Sequence, residues 1–161
     1  MVSNKDLIRA VFDDDVMKYN KWFFKANWKD AKIINLQNKR KWLEIENIVW
    51  YNGIWKNGTW NNGCWHKGTW RGGTWYGGTW SGGIWKDGWW QGGIWNNGTW
   101  KEGTWNSGTW ENGTWKRGYW YKGTWKKGTW EKGKIYDSKI QEYRESTVPP
   151  NECKWSLSYG K

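Results

Sequence analysis

Proline and cysteine are scarce in this 161-residue chain, with two of each, and histidine occurs once. Two cysteines, Cys64 and Cys153, are too few for a disulfide scaffold. No apolar run reaches membrane-spanning length and nothing resembles a signal peptide. The expectation is a protein with no membrane association, held in a cytoplasm or assembled there into something larger. Leucine, valine and isoleucine are few, whereas 22 residues are tryptophan, so whatever core exists is aromatic. Acidic residues are outnumbered, 15 against 26 Lys and Arg, for a net charge of +11. That balance favours acidic partners such as nucleic acid, anionic glycans or an acidic protein surface, and it argues against mimicry of DNA, which needs acid.

What the chain has is a repeat. A Trp falls at every fifth residue from Trp50 to Trp130, and a Gly does the same from Gly53 to Gly133, seventeen of each. The unit reads G-T-W-x-x, with Thr at times replaced by Ile, Cys, Trp or Tyr. A period of five matches neither the strand period of two nor the helix period of about 3.6, so a turn must occur inside each repeat. The residue before the Gly is Asn, Gly, Asp or Ser in eleven copies, Asn57 and Gly77 among them. These residues bend their own backbone or tolerate positive φ, and they locate the turn there. Thr and Trp supply the straight segment. Repeated, a straight side and a two-residue corner give a coil.

Strings such as "RGGTWYGGTWSGGIW" (71–85) resemble the pentapeptide-repeat proteins, right-handed quadrilateral β-helices with four five-residue sides per turn. In that family's motif the central side chain points inward, and so does a small residue two positions earlier. Trp matches the central position and Gly the small one across about 100 residues. The family's Ala or Ser with Leu has become Gly with Trp, as a close-packed interior demands when the central residue grows. The resemblance implies an all-β, right-handed quadrilateral solenoid with a Trp-filled interior. Twenty central positions from Ile45 to Ile140 give about five coils. Four sides set Trp60 beneath Trp80 and Cys64 beneath Ile84; a three-sided coil of fifteen residues sets Trp60 beneath Trp75 and Cys64 beneath Thr79. Four sides is the expectation. The same "NGTW", "GGTW" and "GGIW" strings are similar to the Trp-Gly repeats of large tailed bacteriophages, which implies a phage source.

A single repeat cannot stand alone. Burying one Trp contributes about 5 kcal/mol at roughly 25 cal/mol per Å², while ordering five residues costs about 7 kcal/mol. Stacking between coils must supply the difference, so the open ends need caps. The expected organisation is a partly helical N-terminal cap over 1–42, the solenoid over 43–142, and an irregular C-terminal cap over 143–161. In the first, Ser3 and Asp6 suit a helix cap ahead of Leu7, Ile8, Val11 and Phe12, and a second helix runs from Val16 through "WFFKANW". In the last, "STVPPNECKWSLSYG" reads as a proline turn and a tail.

Few constellations carry chemistry. Cys64 and His66 flank Trp65, a pairing that invites a nucleophile or metal reading, yet no third ligand or orienting carboxylate is close in sequence. Asp13, Asp14 and Asp15 read as a solvated junction between helices rather than a cation site. The glycines form no phosphate loop, since no G-x-x-x-x-G-K-[ST] occurs. No catalytic residue, metal or cofactor is expected. The binding candidates are Lys116, Arg117, Lys122, Lys126 and Lys127, in the basic late repeats, with Trp89 and Tyr119 at outward positions normally held by Thr. Lys132 and Lys134 continue the basic stretch, and Tyr76 and Tyr121 also fall outside the core positions. Exposed aromatics near cations suit stacking on a base or a sugar.

The functional expectation is a non-enzymatic structural or interaction module, in a phage virion as a capsid or tail accessory protein, with a protein partner and scope to oligomerise through its faces or ends. The alternative is an intracellular protein that binds host nucleic acid or a nucleic-acid enzyme such as a topoisomerase. Carbohydrate attachment ranks third.

Overall fold

A computed structural model describes residues 63–155 throughout, together with the short strands Ala31–Ile33, Glu44–Ile45, Ile48–Trp50, Ile54–Trp55 and Thr59–Trp60. The expected N-terminal helices and the Asp13–Asp15 run lie outside the described residues. Among the described residues every regular element is a strand. In chain order these are β1 (Ala31–Ile33), β2 (Glu44–Ile45) and β3 (Ile48–Trp50), then β4 to β19, one per repeat from Ile54–Trp55 to Thr129–Trp130. The last two are β20 (Gly133–Asp137) and β21 (Glu142–Ser146).

Each strand from β2 to β17 pairs in parallel with the strand three further on, which makes the molecule a β-solenoid. Trp60 pairs with Trp75 and Cys64 with Thr79, so a turn takes fifteen residues. The coil is therefore three-sided, and the expected quadrilateral is corrected. Spread over three faces, the parallel strands form columns of six, six and seven. Face one carries the Trp50 to Trp125 series, face two the Trp55 to Trp130 series, and face three runs from Ile45 through Trp60 to Trp120 and Ile135.

The interior explains the geometry. Each indole stacks on the one fifteen residues later and meets the one five residues later edge-on. Trp85, for example, lies 4.9 Å from Trp100 at an interplanar angle of 6°, and 5.9 Å from Trp90 at 76°. Three rings around the axis thus close edge to face, the arrangement that the ring quadrupole favours, and they repeat as three continuous columns. From Trp50 to Trp115 the rings are wholly excluded from water. Two backbone hydrogen bonds per side tie successive turns: Thr99 N donates to Gly83 O at 2.9 Å and Lys101 N to Trp85 O at 2.8 Å.

Glycine has a different task from the one its size suggests. A triangular coil turns the chain more sharply at each corner than a square one, and the glycine before each strand residue pair, every fifth residue from Gly63 to Gly128, takes positive φ there. At Gly98, φ is +122°, and a Cβ would come to 2.5 Å from Gly83 O and 3.3 Å from Trp80 Nε1. The residue is required by the bend and by the backbone of the preceding turn, beyond any compensation for a large neighbour.

The C-terminal end is capped by structure more regular than expected. β20 lengthens to five residues with alternating burial, and β21 returns antiparallel against it, pairing Gly133 with Ser146 and Asp137 with Glu142. The inward phase stops at Ile135, since Ile140 lies in the hairpin turn and is exposed. Trp130 Nε1 donates to Ser146 O at 3.1 Å, and buried Cys153 and partly buried Trp155 complete the cover over the last indoles. Near the N-terminal end β1 pairs antiparallel with β3, Ala31 opposite Trp50. Antiparallel strands at both ends occupy sheet edges that would otherwise accept a further parallel strand.

Candidate functional site: a charged and aromatic corner

The three-sided register decides which outward residues are neighbours. The chain leaves face two at Trp70, passes a corner at Arg71, Gly72 and Gly73, and enters face three at Thr74. At this corner the backbone bonds Lys86 N to Trp70 O, Lys101 N to Trp85 O, Lys116 N to Trp100 O and Glu131 N to Trp115 O stack Arg71, Lys86, Lys101, Lys116 and Glu131 in one column. All five are exposed. At 4.9 Å per turn, about 15 Å separates the first cation from the fourth.

Face three, beside that corner, carries Thr74, Trp89, Thr104, Tyr119 and Lys134 in register. Trp89 is 59% and Tyr119 43% exposed, two turns apart on the same column. Tyr119 also meets Tyr143 of the hairpin edge to face at 5.2 Å, and Lys134 Nζ lies 5.5 Å over the Tyr119 ring. Tyr121 and Tyr136 meet on the far corner of the same face at 4.7 Å, their rings tilted by 47°. Burial, together with Tyr121, Tyr136 and Tyr119 around it, pushes the Tyr143 hydroxyl above the usual tyrosine range.

The other predicted cations do not form one patch. Arg117 follows Lys116 at the first corner and pairs with Glu102 at 2.6 Å, while Lys116 pairs with Glu131 at 3.3 Å. Lys122 lies at the second corner, 5.9 Å over the Tyr121 ring. Lys126 and Lys127 occupy the third corner, between faces one and two, where Lys126 pairs with Glu111 at 2.9 Å. The late cations therefore ring the rod, and three of them are balanced by a carboxylate one turn away. Lys116, Arg117, Trp89 and Tyr119 are the predicted residues that the fold gathers around one edge.

Sequence reasoning passed over Arg71, Lys86 and Lys101. The signal is a basic residue directly after Trp at intervals of fifteen, and it is invisible when positions are grouped in steps of twenty. No ion pair reaches these three among the described residues. Asp87, next to Lys86, accepts from Gly88 N at 2.7 Å, and Glu102, next to Lys101, is held by Arg117.

Cys64 and His66 are both exposed, Cys64 on face one and His66 at the corner after it. Among the described residues no group of three His, Cys, Asp or Glu could hold a metal ion. A shallow groove beside His66 follows the Lys67, Gly82, Asn97 corner, where Gly82 leaves a notch. Comparison with protein-family models, with curated proteins and with solved structures gives no match to this chain.

Proposed function

We propose that this protein is a non-enzymatic structural and interaction module, a stiff rod that docks a partner along its length, and that it serves in a bacteriophage particle as a capsid or tail accessory protein. The observation that carries the reading is the set of three unbroken indole columns with two backbone hydrogen bonds per side per turn. Such an interior resists bending and holds outward residues on a fixed 4.9 Å repeat, the property a docking scaffold needs. The phage setting rests on the likeness of the G-T-W strings to phage Trp-Gly repeats. Mass spectrometry of purified virions from the source tests it. The chain is expected in the particle at a fixed ratio to the major structural proteins. Its recovery only from the lysate, with none in the particle, would remove the virion role.

A further inference from the structure

We propose that the corner formed by Arg71, Lys86, Lys101 and Lys116, with face three beside it, binds single-stranded nucleic acid laid parallel to the rod axis, phosphates on the cations and bases on Trp89 and Tyr119. The first support is electrostatic. At the third corner Lys126 is answered by Glu111 one turn away, and in the column next to this one Arg117 is answered by Glu102. Here three like charges stack at 4.9 Å intervals with no such answer, an arrangement that repels itself until a line of anions lies against it. A polymer with one negative charge per monomer fits this line.

The second support is the lateral separation of charge and ring. Lys86 stands at the corner and Trp89 three residues on, at the face. In a nucleotide the sugar separates phosphate from base in the same sense. An acidic glycan carries its charge on the ring itself and would bring both features to one place. Trp89 and Tyr119, two turns or about 10 Å apart, leave Thr104 between them and offer platforms for separated bases.

The third is straightness. The backbone of a duplex winds away from a straight row of cations within a few phosphates, and its bases are stacked out of reach. A single strand can lengthen its rise from about 3.4 Å per nucleotide to follow the 4.9 Å repeat, with its bases free. This inference concerns the ligand of one corner and holds whether or not the rod is a virion component.

The test is fluorescence anisotropy with a labelled dT12 strand, titrated over a range of salt. Three to four phosphate contacts predict that log K falls against log salt with a slope of about −2 to −3. The R71Q/K86Q/K101Q variant is expected to weaken binding at least tenfold and to flatten that slope by about 2. The K122Q/K126Q/K127Q variant removes the same charge from the other two corners and is expected to bind within about twofold of the parent. W89A should weaken binding by about fivefold to a hundredfold and leave the slope unchanged. None of these side chains enters the core, and an unchanged unfolding midpoint confirms folding in each variant. Equal losses in the two triple variants would reduce the effect to net charge and overturn the proposal. So would equal binding of a duplex or of heparin, with no effect of W89A.

Discussion

Trp60 lies flat on Trp75, 4.8 Å away and within 6° of parallel, while Trp65 meets Trp60 edge-on at 75°. Stacking relates residues of successive turns and edge contact relates successive sides, so this one pair fixes the coil at fifteen residues.

That register is open to a direct chemical check at the surface. Cys64 is exposed and pairs with Thr79, whereas a twenty-residue turn would set it against Ile84. A short thiol cross-linker is expected to join Cys64 to the new thiol in T79C and to fail in I84C. Cys153 does not compete, because it is buried and burial pushes its thiol up, which lowers the thiolate fraction at mild alkaline pH. Titration of the unmodified native protein with a chromogenic disulfide should therefore count one reactive thiol, rising to two in denaturant.

Two adjacent glycines give opposed predictions. Gly93 has φ of +106° and sits against Gly78, whose carbonyl oxygen a Cβ would overlap. Gly92 lacks positive φ, and its Cβ would meet only Tyr76 O at 3.4 Å and Ser107 Oγ at 3.7 Å. G93A is expected to destabilise the rod by about 3 kcal/mol or more. G92A should change stability by less than about 1 kcal/mol in either direction. Urea unfolding followed by tryptophan emission compares the two, and an equal loss in both would refute the corner geometry.

The indole columns should dominate the optical properties. The inward indoles from Trp50 to Trp115 are fully shielded, and among the described residues Trp89 is the one strongly exposed tryptophan. Emission is expected to be blue-shifted and most of it resistant to iodide. The quenchable fraction should fall in W89F. Quenching of the majority of the signal would contradict the closed interior.

The C-terminal cap carries a pH dependence of definite sign. Burial alone would raise the Asp137 carboxyl, but the Arg144 guanidinium at 3.1 Å and the backbone N–H groups of Lys139 and Ile140 hold it below the usual range. Arg144 in turn lies 4.3 Å over Trp155, so the ion pair ties the hairpin to the covering residues. A depressed carboxyl stabilises the fold above its ordinary pKa, and that contribution disappears as pH falls through the lowered folded value. D137N should lower the melting temperature at pH 7 and reduce its fall below about pH 4. An identical acid profile in D137N and the parent would show that the pair does not secure the cap.

Much of this structure was legible because it is local. The five-residue period, the inward Trp and the corner at Gly are properties of single repeats, fixed by side-chain size, by strand preference and by the freedom of glycine at positive φ. The number of sides is not local. It depends on how sharply successive corners add and on how three indoles close edge to face about a common axis, and both are settled only when the chain meets itself a turn later. Reading twenty residues per turn sets Arg71 beside Gln91 and Glu111, and the basic corner dissolves into mixed surface. At fifteen the same residue stands in line with Lys86, Lys101 and Lys116. The cap follows the same logic. Ile140 continues the inward phase on paper, but the antiparallel pairing of Asp137 with Glu142 turns the chain and leaves Ile140 in solvent. Sequence determined what each repeat is; contact between turns determined which repeats are neighbours, because stacking distance and corner angle belong to the assembled coil.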